Sequence, residues 1–398
     1  MKKTIFMVGF ACLLAGCSGD SDNDTSSVPS VPGSFKFSDD TGVYYSPDMN
    51  GTYDAESLGT LALSCEENRT QYYETENVYV FGNPDLPDSD FETAANWVEN
   101  YFQDALDVMG ITKEEFYAER THARFLARNR FFEGLIDLKD DSSSSYGEFT
   151  LPTEILETSD TEDFNFNRYE WAVTLATYTD AQTVIDTVIE EELDFDEYSS
   201  LNIDDKIYVC LHEEDNDSYW GEGTYAGIVI AAPSVNPPSD ADELITHELI
   251  HTIQTVFTMD ASLVQPLPRW WLEGQATYLS GMGTVAKKKH NEYDPTLVIY
   301  SFDETYVDNA YGHYALAYQY LEEANGRETL VNFMSELKAL VTNVYSDEYP
   351  WDIDEYLATE NYQFTNLFNA TMVDMDGNPL TVEQWRNNYH SYIDDWSN

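Results

Sequence analysis

The chain has 398 residues, of which 42% are hydrophobic and 14% aromatic, and its 74 acidic and 19 basic side chains give a formal net charge of -55 at pH 7. This length and hydrophobic fraction predict a folded protein of one large or two ordinary domains, not a disordered chain. The charge excludes nucleic acid as a partner, since phosphates would be repelled over the whole surface. The sequence does not indicate an oligomeric state.

The N-terminus has the three parts of a secretory signal peptide. A positive start at Lys2 is followed by an apolar run, residues 5–14, which is too short to cross a bilayer as a helix, and the small-residue stretch LAG ends at Cys17. This site resembles the lipobox of bacterial lipoproteins. The resemblance implies that residues 1–16 are removed and that Cys17 carries a lipid. Because Ser18 follows, it also implies a lipid anchor in the cell envelope, at the outer membrane if the source is Gram-negative.

Beyond the lipid site the composition divides the chain into three parts. Residues 17–34 are rich in Ser, Asp and Pro and are predicted to form a flexible tether. Residues 35–164 are predicted to be an α/β region, with a buried strand at 78–81 and an amphipathic helix that ends at Gly110. This region is either a separate module or part of the following domain. In residues 165–398 strands precede helices, which predicts an α+β architecture.

Two cysteines, Cys65 and Cys210, remain beyond the signal peptide and the lipid site. An even pair of cysteines in an oxidising compartment can form a disulfide. The sequence leaves open whether their Cβ atoms come close enough for that bond.

The stretch THELIH contains two of the seven histidines of the chain. On a helix His247 and His251 differ by only about 40° around the axis, so their imidazoles project to one side and can share a metal ion. Glu248 lies over the same face and can reach a water on that metal without binding the metal itself. A catalytic zinc ion needs a third protein ligand, and Glu273 is the candidate because an unpaired carboxylate among Trp, Leu and Tyr is costly to bury. The alternative is a surface helix with incidental histidines.

Two strings resemble the gluzincin branch of the zincin metallopeptidases. These are HELIH, residues 247–251, and WWLEGQA, residues 270–276, the second being similar to the Trp-x-x-Glu-Gly-x-Ala signature of that family. The resemblance implies a zincin-like metallopeptidase domain, in which a mixed β-sheet and an active-site helix precede a mainly helical C-terminal subdomain.

Carried over position by position, the resemblance also implies a zinc ion, its ligands and a general base. His247, His251 and Glu273 match the ligands, and Glu248 matches the base. Some family members have an aspartate four residues after the ligand glutamate, where it orients a histidine. Here that position is Thr277, so the partner of the ligand histidines stays open.

The resemblance extends to substrate binding and to the oxyanion. The strand GTYAGIVIAA, residues 223–232, resembles the edge strand that pairs with extended substrates in zincins, which implies contacts at Tyr225, Ala226 and Gly227. An ordinary buried strand is the alternative. The stretch that begins NAYGHY resembles a helix that supplies an oxyanion-binding tyrosine, which implies Tyr311, with His313 as the second candidate.

The sequence therefore predicts a zinc-dependent peptidase that acts on a peptide or protein substrate and is held at the membrane by its N-terminal lipid. The alternative is a non-catalytic surface lipoprotein of the same fold that binds a polymer or a partner protein. The presence of Glu248 and all three ligands argues against this alternative. Between endopeptidase and aminopeptidase the sequence is nearly silent, because Glu222 near the predicted edge strand is one of many acidic residues.

Overall fold

In a computed structural model of the chain, the described residues are 29–45, 65, 70–120, 206–213, 221–224, 226–264, 267–297, 309–340 and 363–397. The signal peptide, the lipid site Cys17, tether residues 17–28 and Tyr225 lie outside them, as does the predicted boundary at residue 164. None of the described helices is long and apolar enough to cross a bilayer.

A six-stranded mixed sheet, in the order β1-β2-β3-β4-β6-β5, forms the centre of the described structure. Its strands are β1 (Ser34–Phe37), β2 (Gln71–Glu74), β3 (Val78–Gly82), β4 (Ile207–His212), β5 (Gly221–Gly223) and β6 (Gly227–Ala231). Strands β3, β4 and β6 run parallel, whereas β1, β2 and β5 are antiparallel to their neighbours. The described strands of the N-terminal region therefore share one sheet with those that precede the histidine motif.

The central strands are apolar along their length because both faces of the sheet are covered. Every residue of β3, β4 and β6 is buried. One face packs against two long helices, α1 (Asp88–Met109) and α2 (Ala241–Val264). Gly110, in the left-handed region at φ 68°, ends α1 as the sequence predicts. The opposite face carries a cluster of large aromatic side chains, namely Tyr45, Tyr72, Tyr79, Phe81 and Tyr208.

Five further helices build a second core beside the sheet. They are α3 (Arg269–Ser280), α4 (Ala310–Asn325), α5 (Arg327–Leu340), α6 (Gln363–Thr371) and α7 (Val382–Ser397). Trp270, Trp271 and Trp385 are fully buried in this core. Helix α3 joins the two cores, since its Ala276 packs on the sheet side. The result is a mixed α and β architecture, compatible with the predicted α+β class.

The predicted edge position of the strand in residues 223–232 was wrong. Strand β6 pairs with β4 on one side and with β5 on the other. The carbonyl of Ala226 accepts hydrogen bonds from the backbone N–H of Tyr208 at 3.1 Å and from Arg120 at 2.9 Å. The carbonyl of Gly227 accepts from the hydroxyl of Thr252 at 2.6 Å. Strand addition at Ala226 and Gly227 is therefore blocked, because these backbone groups are already bonded within the fold.

The outer strand on this side of the sheet is β5, with which no further described strand pairs. Its sequence, GEG, has no apolar alternation, so the usual pattern for a strand is missing. Its place in the sheet comes from antiparallel pairing with β6, with Glu222 opposite Val229.

Cys65 and Cys210 form a disulfide, with Cα atoms 5.8 Å apart. The pairing that the sequence left open is thus present. It ties a residue 145 positions upstream to the middle of β4, on the aromatic face of the sheet.

Replacing both cysteines, C65A/C210A, is expected to lower the free energy of unfolding by about 2–5 kcal/mol, because the cross-link restricts the unfolded chain. Urea unfolding followed by tryptophan fluorescence measures this difference. Wild-type protein unfolded and refolded in reductant is the control and should show the same loss. An unchanged unfolding midpoint in both samples would contradict the bond.

Candidate metal centre

His247, His251 and Glu273 bring three potential ligand atoms to one place, all within 4.8 Å of one another. The Nε2 atoms of the two histidines are 3.0 Å apart. Oε2 of Glu273 lies 3.2 Å from Nε2 of His251 and 3.5 Å from Nε2 of His247. All three residues are buried. The structure therefore brings together the three residues that the sequence predicts as metal ligands, and this group could hold a metal ion.

Two helices position these side chains. Apolar residues of α2, among them Ile245, Leu249 and Ile253, pack into the core on the sheet side. The histidines lie one turn apart on the same helix and meet Glu273, which comes from α3. Helix α3 is anchored in the helical core by its tryptophans. The carboxylate of Glu273 therefore approaches the histidines from the helical core, whereas α2 packs on the sheet.

Each oxygen of Glu273 has its own partners. While Oε2 faces the histidines, Oε1 lies 3.4 Å from Nη1 of Arg269, one helical turn earlier. Burial by itself would raise the pKa of Glu273, but Arg269, His251 and the hydrogen bonds from the histidines hold that pKa well below its ordinary value. The site therefore contains a fixed negative charge with one oxygen directed at the imidazoles.

The two histidines differ in protonation. Burial lowers the pKa of His251, but Glu273 and Glu248 outweigh burial and raise it to about 9. Burial keeps the pKa of His247 below its ordinary value. His251 is then the protonated member near neutral pH, and a metal ion that binds it displaces this proton.

Glu248 is buried beside the ligands. Burial, together with the charges of Glu273 and Glu222, raises the pKa of Glu248 to about 8, while His251 opposes the rise. The backbone N–H of Gly223 approaches its carboxyl group, yet neither oxygen accepts a hydrogen bond of normal geometry from the described residues. A buried carboxyl group without such a bond is suited to exchanging a proton with a bound water.

Strand β5 lies directly against the helix that carries the motif, because two of its three residues are glycine. A Cβ atom at Gly223 would lie 2.4 Å from the carbonyl oxygen of Glu248, and one at Gly221 would lie 2.8 Å from the Cγ of Glu248. Both distances are shorter than real Cβ contacts. Side chains alternate along a strand, so Glu222 projects to the other face. Gly221 was not predicted from the sequence, although two glycines two positions apart in a strand are a signal of close backbone approach.

The partner of His251 is Gln254, on the same helix. Nδ1 of His251 pairs with Oε1 of Gln254 at 2.7 Å. The amide of Gln254 donates to Oε1 of Gln275 at 2.9 Å, and the amide of Gln275 donates to the hydroxyl of Tyr318 at 2.9 Å. This chain holds the imidazole so that Nε2 faces the ligand cluster. This chain was not predicted, because its only signal in the sequence is a glutamine three residues after a histidine.

Of the two oxyanion candidates, the described contacts place Tyr311 beside the candidate metal centre. Its ring lies 6.2 Å from the ring of His247, and its hydroxyl accepts a hydrogen bond from Arg269 at 3.1 Å. Since an arginine only donates, the tyrosine keeps its own hydrogen to donate elsewhere. His313 is two positions further, about 200° around the helix. Its ring contacts Tyr293 at 5.6 Å, and burial lowers its pKa to about 4.

Replacing Gln254 by methionine, Q254M, is expected to weaken the binding of a metal ion by the cluster about 10- to 100-fold, because His251 loses the acceptor that orients its ring. Competition with a chromophoric chelator measures the affinity. The matched control is Q275M, which breaks the next link of the chain but leaves the contact between Gln254 and His251. Equal losses of affinity in the two variants would contradict this role of Gln254.

Comparison with known proteins gives no relative that bears on this site. No protein-family model, no curated protein and no solved structure matches the chain. The chemistry of the centre is therefore inferred from its own residues: two imidazoles and a carboxylate that converge, a second buried carboxyl group beside them, and a tyrosine next to the first histidine.

Proposed function

We propose that the protein is a zinc-dependent peptidase of zincin-like fold, in which His247, His251 and Glu273 bind the metal and Glu248 is the general base. One observation carries the proposal: the three ligand atoms converge in a buried site with Glu248 directly beside them. Two histidines and one glutamate form a known donor set of catalytic zinc, which leaves a fourth position for water.

The residues fit a zinc ion in type and in spacing. Bonds of about 2.0–2.1 Å in a tetrahedral arrangement place two ligand atoms roughly 3.3 Å apart. The three pairwise distances in the cluster are 3.0, 3.2 and 3.5 Å. Bound there, zinc would supply a Lewis acid that lowers the pKa of a water to about 7 and polarises the scissile carbonyl.

Glu248 moves the proton in this proposal. Its carboxylate takes a proton from the attacking water and passes it to the leaving nitrogen, a contribution of typically ~10²- to 10⁴-fold to the rate. Burial raises the pKa of Glu248 and so favours retention of that proton between the two steps. Glu248 is not itself part of the ligand cluster, so it is available for this role.

Tyr311 stabilises the developing oxyanion. Its hydroxyl is already oriented by Arg269, which also contacts the ligand Glu273. A hydrogen bond that forms only to the negatively charged oxygen lowers the barrier, typically by about 3–4 kcal/mol. Arg269 thus links the third ligand to the residue that would contact the substrate.

Strand β5 favours an extended peptide as the substrate. It is the outer strand on its side of the described sheet, and its glycines hold it against the turn of α2 that carries Glu248 and His251. A peptide that adds to this edge by backbone hydrogen bonds would run alongside the metal ligands. This role replaces the one expected for Ala226 and Gly227.

The variant Glu248→Gln is expected to keep zinc but to lose hydrolysis by at least ~100-fold, because an amide cannot accept the proton. Chelator-sensitive cleavage of an unfolded protein substrate, with fragments mapped by mass spectrometry, is the measurement. The same assay separates a peptidase from the alternative, a non-catalytic binding protein of this fold.

Two controls accompany that variant. Glu243→Gln removes a carboxylate from the first turn of the same helix and should leave cleavage unchanged. Glu273→Ala should lose zinc as well as activity. Full activity in purified Glu248→Gln, or a full equivalent of zinc in Glu273→Ala, would overturn the assignment of these residues.

Tyr311→Phe is expected to lower kcat by about 10²- to 10³-fold with little change in KM or zinc content, because only the transition state loses a donor. Steady-state kinetics on a fluorogenic peptide measure both parameters. Tyr278→Phe, on α3, is a control. An increase in KM with an unchanged kcat would assign Tyr311 to substrate binding instead.

We also propose that the enzyme acts at the cell envelope, anchored by a lipid on Cys17. Support comes from the leader sequence, which lies outside the described residues. Labelled palmitate is expected on the wild-type protein and not on Cys17→Ala. Persistence of the label in that variant would exclude this anchor.

A further inference from the structure

The helix that carries Tyr311 begins at a residue in a rare backbone conformation. Asn309, directly before α4, has φ 64° and ψ 37°, which is the left-handed region. Among the residues that the structure describes, no other residue except glycine has a positive φ. The residues before α1 and α3 show the ordinary negative values, with φ -58° at Pro87 and -55° at Pro268. Such a departure persists only where the surrounding structure holds it, and it is often found at functional sites.

The side chain of Asn309 lies over the first turn of α4. A Cβ atom at Gly312 would be 2.7 Å from Oδ1 of Asn309 and 3.0 Å from Cγ1 of Val285. The backbone N–H of Val285 also donates a hydrogen bond to the carbonyl of Gly312 at 3.0 Å. The residue directly after Tyr311 is therefore packed as closely as a glycine allows.

Tyr311 lies in the part of α4 that the helix itself secures least. The backbone N–H groups of a first turn have no acceptor within their helix, so that turn is held by what packs on it. Tyr311 is only partly buried, whereas Tyr314 and Tyr318, further along α4, are fully buried. Its hydroxyl is 3.1 Å from Arg269, and its ring is 6.2 Å from the ring of His247. Both distances depend on how the first turn is closed.

We propose that Asn309 and Gly312 are positioning residues, which hold the first turn of α4 so that the hydroxyl of Tyr311 stays beside the candidate metal centre. The inference rests on the proposed function, in which Tyr311 stabilises the oxyanion. The left-handed backbone of Asn309 leads the chain into the helix, and Gly312 leaves room for the side chain that covers the turn. Precise placement matters, since a displacement of about 1 Å can lower a rate by about 100-fold.

The test compares Asn309→Val with Asn309→Gly. Both variants lose the amide side chain, but a β-branched residue is strained at a positive φ and glycine is not. Asn309→Val is expected to lower kcat by about 10-fold or more, with KM and zinc content unchanged, whereas Asn309→Gly stays within about threefold of wild type. Gly326→Ala is the matched control. It strains the backbone at the other end of α4, where φ is 81°, and should leave kcat unchanged.

A double-mutant cycle separates positioning from a general loss of structure. If Asn309 acts through Tyr311, then Asn309→Val adds less than about twofold to the loss of kcat in Tyr311→Phe. The inference is overturned if the two losses multiply, or if Asn309→Val and Asn309→Gly lose kcat equally. Gly312→Ala repeats the cycle from the other residue, so a folding defect in one variant does not decide the result. Asn309→Gly in the same chain should restore part of its kcat, because the crowding amide is gone.

A second readout keeps this inference distinct from the proposed function. Fluorotyrosine at position 311, observed by fluorine NMR, reports the surroundings of that ring without any substrate. Its resonance is expected to shift in Asn309→Val and to stay in place in Asn309→Gly and Gly326→Ala. If wild type shows no chelator-sensitive cleavage, the proposed function fails, and the resonance alone decides how the turn is held. An unshifted resonance in Asn309→Val overturns the positioning role.

Discussion

The buried negative charge of Glu273 is the constraint on which the rest of the centre depends. A carboxylate without solvent is costly unless positive groups and hydrogen bonds surround it. Arg269 supplies one partner at Oε1, and His247 and His251 supply the others at Oε2. Because Arg269 also bonds to Tyr311, this one charge ties α3 to both α2 and α4. His247, His251, Glu273 and Tyr311 are therefore held by a single network.

Close packing of β5 on α2 is the second determinant of the site. The glycines at 221 and 223 let the strand backbone approach Glu248 and His251 at distances that exclude any side chain. The sheet beneath is covered on its other face by aromatic side chains and by the disulfide at Cys65. In the proposed peptidase, this sheet edge next to a buried carboxyl group would align an extended chain with the proposed base.

Sequence periodicity and capping predicted individual helices and strands better than they predicted the position of each strand in the sheet. The buried strand at 78–81, the end of α1 at Gly110, and the helix with His247 and His251 all follow from periodicity and capping. The edge strand was misplaced because an apolar run such as GIVIA fits an edge and an interior strand equally well. Only the pairing with β5, a strand without apolar alternation, makes β6 an interior strand.

By itself the sequence determined the donor set of the candidate centre. Two histidines one helical turn apart must share a face, and a glutamate in a tryptophan-rich helix must find a positive partner when it is buried. Only the tertiary structure decided which groups support that set: Gln254 behind His251, Arg269 behind Glu273, and Tyr311 rather than His313 beside the histidines. The reason is physical, since helix periodicity is local, whereas these contacts depend on how α2, α3 and α4 pack and rotate against one another.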